Sequence, residues 1–219
     1  MTVAPSLHSV IMDPHVFQLV GGNAALDFVN TIHDWTAAEP RDYLPTFAEA
    51  ARFAEAAGLV TRAEARALAG LPGSAELRRL RELRVRLERI FRAVRSERSP
   101  APEDLDALAR VAAEAGRAAR LQFDRGQLTR VIDLETAGAA TLRLRLVERA
   151  IALLTADHLE RLSACPSCGW YFLDTTKNRS RRWCSMDMCG SAVKARRYYW
   201  RTKGRGRRGR QGGGRAAPK

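Results

Sequence analysis

Apolar residues recur along this chain at two spacings, and the switches between them mark its elements. Leu26, Val29, Ile32 and His33 recur at three and four, which predicts a helix over Ala24–Trp35 with Asn23 as N-cap. Before it, Phe17–Val20 reads as a short strand ended by Gly21-Gly22. Pro40 to Pro45 reads as a loop, and Thr46–Ala57 as a second helix closed by Gly58. Thr61-Arg-Ala-Glu is a capping-box pattern opening a third helix over Arg62–Ala69. The longest apolar stripe, Leu77, Leu80, Leu83, Leu87, Ile90, Phe91 and Val94, predicts a helix over Ser74–Glu97. Arg and Glu fill its remaining positions and read as a solvated face. Pro102 opens the next helix, which ends about Gly116. The period then changes: Leu121, Phe123, Leu128, Val131 and Ile132 flank Asp124-Arg-Gly-Gln, a hairpin signal. Helical spacing returns over Leu142–Leu162. The expected body, residues 1–162, is thus mainly α with a small β element, an α+β arrangement.

Charge changes this picture at one end only. From Lys177 to Lys219 there are 15 Lys and Arg and one acid, Asp187, whereas residues 1–176 carry a net charge of −1. A near-neutral body joined to a strongly cationic end favours a polyanionic partner, usually nucleic acid. The last stretch, 204–219, holds six Gly and five Arg without apolar periodicity and reads as a disordered basic tail. No run approaches the length of a membrane span, and Met1–Val20 lacks the basic start and apolar run of a secretory leader. The expectation is a cytoplasmic protein with no membrane partner.

All four cysteines lie between Cys165 and Cys189, spaced C-x2-C, fifteen residues, then C-x4-C. In a reducing compartment such clustering argues for a metal rather than disulfides. Four thiolates in two pairs suit one tetrahedral zinc, and Pro166 and Gly169 favour the tight turn that the first pair needs. A catalytic zinc keeps one position open, so Cys165, Cys168, Cys184 and Cys189 predict a structural ion that folds residues 163–203. Between the pairs a hairpin is expected, its tip carrying Lys177, Arg179, Arg181 and Arg182. A helix should follow from Gly190. Lys194, Arg197 and Arg201 then fall within about 60° of its circumference, and Ala192, Ala195 and Tyr199 on a packing face. Knuckle, hairpin and helix make a treble-clef-like four-Cys zinc finger, with the seven cations directed at nucleic acid.

The segment Cys165-Pro-x-Cys168-Gly-Trp-Tyr-Phe-Leu-Asp-Thr-Thr-Lys-Asn-Arg-Ser-Arg-Arg-Trp-Cys184-Ser-Met-x-x-Cys189-Gly resembles the CGNR zinc finger. Gly21-Gly-Asn-Ala-Ala-Leu-Asp-Phe-Val-Asn-Thr31 resembles the ABATE domain, its usual partner in stress-induced bacterial transcription regulators. Together the two resemblances cover roughly residues 15–202. They imply one structural zinc and a regulatory role. The family's Cys-Gly-Asn-Arg is here Cys189-Gly190-Ser191-Ala192. Ser191 retains the means to cap a helix, whereas Ala192 removes a cation.

In the body, Asp27, Asn30 and Thr31 form a polar cluster, read either as the lining of a pocket for a small-molecule effector or as capping and packing of helix against hairpin. No nucleophile elbow, P-loop or dinucleotide fingerprint occurs, so no enzyme is expected. His158 reads as a helix-surface residue. The leading expectation is a zinc-dependent regulator binding duplex DNA; RNA binding and a zinc-stabilised protein-interaction module are the alternatives. Exposed Trp or Tyr available for stacking would favour RNA.

Overall fold

The computed structural model describes residues 17–33, 35 and 39–208. Helix α1 (Ala24–Val29) starts where the Asn23 side chain accepts from the Ala25 amide at 2.8 Å. It stops after six residues rather than running to Trp35. The Thr31 hydroxyl donates to the Phe28 carbonyl and the Asn30 side chain turns to a distant strand, so both compete with the helical ladder. Ile32 and His33 then form β1 (Ile32–His33), paired antiparallel with β2 (Arg41–Asp42) inside the expected loop. Phe17–Val20 is not a strand. Helices α2 (Phe47–Ala56) and α3 (Arg62–Ala69) begin where Thr46 and Thr61 cap them, the second with both bonds of a capping box to Glu64.

Helix α4 (Ser74–Arg95) buries Leu80, Leu83, Leu87, Ile90 and Phe91. Its other face is not wholly solvated, as the sequence pattern suggested: Glu76, Arg84 and Glu88 are buried too. Arg84 is tolerated there because it pairs with both Asp42 oxygens, at 2.8 and 2.7 Å, and donates to the Thr31 hydroxyl at 2.8 Å. Helix α5 (Pro102–Ala118) leads into β3 (Ala119–Asp124) and β4 (Gln127–Ile132). Arg125 and Gly126 turn between them with φ of 48° and 82°, the left-handed pair that a two-residue hairpin requires.

After α6 (Leu134–Ala137), α7 (Thr141–Leu154) packs against α1, α4 and α5. It ends eight residues short of Leu162, where the Thr155 hydroxyl takes the Ile151 carbonyl. His158 is exposed beyond that end. Leu162 instead opens β5 (Leu162–Ala164), antiparallel to β6 (Tyr171–Leu173) in the register Leu162–Leu173 and Ala164–Tyr171. The last element is α8 (Ser191–Arg208), which carries helix into the segment read as a disordered tail; 209–219 lie outside the described residues. Among the described residues no helix is long and apolar enough to cross a membrane.

Strand β6 belongs to two cores at once. Side chains alternate along a strand. Accordingly Tyr171 and Leu173 join the main core with Phe28, Leu87 and Leu142, while Trp170 and Phe172 face a smaller cluster with Cys165, Cys168 and Cys184.

Candidate metal centre and nucleic-acid interface

The turn between β5 and β6 is the first cysteine pair. The Cys165 amide donates to the Trp170 carbonyl and the Gly169 amide to the Cys165 carbonyl, both at 2.8 Å. Gly169 holds φ at 76°, which a residue with a Cβ adopts only at a cost. The second pair stands across from it. Cys184 precedes a wide helical turn, Met186–Gly190, that carries Cys189 and runs into α8. Ser185 caps that turn by accepting from the Met188 amide. The cap therefore falls at Ser185, not at Ser191, whose hydroxyl donates back to the Met186 carbonyl. At Gly190 a Cβ would meet the Met186 sulfur at 2.4 Å, so a larger residue there would have to displace the Met186 side chain.

The four sulfurs lie within 4.8 Å of one another. Thiolates at about 2.3 Å from a tetrahedral ion stand about 3.8 Å apart. Cys168–Cys184 and Cys184–Cys189 separations of 3.5 and 3.6 Å match that edge and far exceed a disulfide bond. Crowding acts on the thiols in opposite directions. Hydrogen bonds from Cys168, Cys184 and Cys189 pull the Cys165 thiol below its ordinary range. Bonds with Cys165 first, then with the other thiols, push Cys168 above it, and the Cys165 bond does the same to Cys184. One thiolate is stabilised by its neighbours and the next is opposed, so four need a cation among them. The site holds one structural zinc, with Cys165, Cys168, Cys184 and Cys189 as the residues that fit it.

The basic segment after β6 is a side-chain-organised loop, not a hairpin tip; Arg182 and Trp183 form no strand. Asp174 builds it. One of its oxygens accepts from the Thr176 amide and hydroxyl, the other from the Arg181 amide, and these bonds, Thr176 first, hold its carboxyl below the ordinary range.

The seven predicted cations separate by what they touch. Arg181 is turned inward. Its guanidinium donates to the carbonyls of Val20, Leu173, Trp183 and Cys184 and lies 4.4 Å from the Phe172 ring centre. Arg179 pairs with Glu160 at 2.7 Å. Lys177 and Arg182 are exposed on the loop, Arg182 over the Trp183 ring. Lys194 and Arg201 are exposed on α8, with Ala192 exposed on its first turn; the Arg197 side chain lies outside the described set. Ala192, Ala195 and Tyr199, read as a packing face, are exposed as well.

Asp27, Asn30 and Thr31 lie at the junction with the finger, and their polar atoms are engaged there. The Gly21 amide donates to Asp27 at 2.7 Å. Burial raises the Asp27 carboxyl from 3.8 to about 6, against the opposing pull of the Gly21 and Val20 amides and the Arg181 charge. Asn30 mimics a strand: its amide group donates to the Tyr171 carbonyl and its carbonyl accepts from the Tyr171 amide, both at 2.8 Å. Thr31 accepts from Arg84. Two more bonds follow the same line, Leu173 amide to Gly21 carbonyl at 2.9 Å and Trp170 indole to Ile32 carbonyl at 3.0 Å. At Gly21 a Cβ would stand 2.8 Å from that of Leu26. The Gly21–Thr31 motif is thus the seat of the finger's hairpin. Sequence reasoning missed this pairing, and missed Glu88, which accepts from the Tyr171 hydroxyl at 3.1 Å.

Two family models match this chain. One, ABATE, described as "Putative stress-induced transcription regulator", matches residues 22–157, and the other, the CGNR zinc finger, matches residues 161–202. Neither is an enzyme family. No curated protein matches the chain.

Proposed function

Because the chain belongs to the ABATE family and carries a CGNR zinc finger, we propose that it is a zinc-dependent transcription regulator that binds DNA through its finger. The observation that carries this reading is a zinc-fixed platform whose exposed cations, Lys177 and Arg182 on the loop and Lys194 and Arg201 on α8, are directed to solvent while Arg181 holds the platform together. A rigid array of cations meets phosphates without first losing side-chain and loop freedom. Where the family's Arg would stand, Ala192 offers no charge, so base selectivity rests on the remaining cations.

Selection from a random duplex pool with the full chain, with and without a zinc chelator, tests the proposal. Enrichment of one sequence that disappears on chelation supports it. Four phosphate contacts correspond to a fall of log affinity with log salt of slope about −3.6. Binding that survives chelation unchanged would overturn it.

A further inference from the structure

Every described side chain from Lys194 to Arg201 is exposed, aromatic ones included: Tyr198 is 61%, Tyr199 49% and Trp200 59% accessible. Large rings normally supply core or interface area, so three together in water point to a partner. Their placement restricts its nature. Successive helix positions differ by about 100°, so the three rings cover roughly 200° of circumference and share no single packing face. A second protein surface laid over Tyr198 and Tyr199 would leave Trp200, about 100° further round, wet. Cations are interleaved with the rings: Lys194 lies one turn before Tyr198, and the Arg201 guanidinium is 5.8 Å from the Tyr198 ring centre. Cations stand beside the rings on both sides of the helix: Lys194 lies about 40° from Tyr198, and Arg196, on the opposite side, about 40° from Trp200. Tyr199 and Trp200 stand edge to face, 5.5 Å apart at 76°.

A partner must therefore offer negative charges and flat π faces at short, alternating intervals, on a chain thin enough to reach several sides of a helix. Nucleic acid does so, and only where its bases are unpaired. In a closed duplex the base faces are hidden in the stack, and rings meet groove edges and backbone alone.

We propose that the Tyr198–Trp200 turn of α8 stacks unpaired bases, so that the preferred nucleic acid of this protein contains a single-stranded stretch. The inference rests on the nucleic-acid-binding reading above and names the ligand class of that site. The basic loop and Lys194 then hold phosphates while the rings take bases.

The test uses the zinc-loaded full chain and four probes of equal length: single-stranded DNA, single-stranded RNA, a fully paired DNA duplex and the same duplex with a central unpaired bubble. Single strands and the bubbled duplex are expected to bind at least about tenfold tighter than the paired duplex, since each stacked base corresponds to roughly 5- to 150-fold. The double variant Tyr199→Ala, Trp200→Ala should remove that preference, weakening single strands and the bubbled duplex far more than the paired duplex, whereas Tyr199→Phe, Trp200→Phe should keep it. Paired duplex bound as tightly as single strands overturns the inference, as does an alanine variant that weakens all four probes alike. Anionic vesicles bound in preference to every probe would assign the rings to lipid. Failure of every nucleic-acid probe to bind would instead reject the underlying nucleic-acid reading.

Discussion

Asn30 tests whether the body's polar cluster is a brace or a pocket. Its side chain replaces a neighbouring strand for Tyr171, donating to the carbonyl and accepting from the amide at 2.8 Å each, and it is 3% exposed. Asn30→Ala leaves both backbone groups buried without partners. Each such orphan costs about 1–3 kcal/mol, so the variant should lose about 3–4 kcal/mol. For a chain of this size that corresponds to a fall of roughly 6–16 °C in Tm. Asn30→Asp is the sharper control. A carboxylate still accepts from the amide but faces the Tyr171 carbonyl with a second acceptor, so it should be at least as damaging at neutral pH. It should recover in part when acid restores a proton that can be donated. Denaturant unfolding of the zinc-loaded protein, followed by far-UV circular dichroism, gives the numbers. An Asn30→Ala protein within 0.5 kcal/mol of the parent would refute the brace and return Asn30 to the lining of an effector pocket.

Three further outcomes follow, from the same junction and from the basic loop beside it. Asp27 is held near 6 against 3.8, so the folded state keeps a proton there that the unfolded chain has already released. Its contribution is full below about pH 4, declines as pH rises to about 6 and is flat above, a loss of about 3 kcal/mol. Asp27→Asn removes this decline, so the stability difference between variant and parent should move in favour of the variant by about that much between pH 4 and 7; parallel curves would sink the reasoning. Arg181→Ala deletes donors to four carbonyls and the cover over Phe172, and should cost about 3 kcal/mol and weaken zinc retention in a chelator competition. Arg182→Ala should leave stability within about 0.5 kcal/mol and reduce the salt slope of nucleic-acid binding by about 1. Equal effects of the two on stability would contradict the division of the cations.

What the sequence disclosed was what is decided nearby. The Asn23 and Thr61 caps, Pro102 at a helix start, the Arg125-Gly126 turn and the paired cysteine spacings all act within a few residues. What it concealed depends on partners far along the chain. Asn30 meets Tyr171 across 141 positions, Arg181 meets Val20 across 161, and Arg84 meets Asp42 across 42. An arginine that clamps carbonyls and one that waits for a phosphate are the same letter in the same basic run, so neighbouring Arg181 and Arg182 could not be told apart. The overlong predictions for α1 and α7 share one cause: apolar spacing continued past Thr31 and Thr155, whose hydroxyls end the ladders locally.

The double role of β6 has a consequence for how zinc and body depend on each other. A finger joined by a loose linker would lose its ion without disturbing its neighbour. Here Tyr171 and Leu173 are main-core residues, while the turn that begins their strand carries Cys165 and Cys168. Releasing the ion frees that turn, and the freed strand takes with it the bonds to Asn30 and Gly21 that fix the end of α1. Binding free energy of structural zinc is folding free energy wherever the unfolded chain lacks the site. In this fold part of that free energy therefore reaches α1, a helix buried between α4 and α7, and through it the body. The coupling is reciprocal: the factor by which bound zinc firms the seat of β6 is the factor by which a firm seat raises the affinity for zinc.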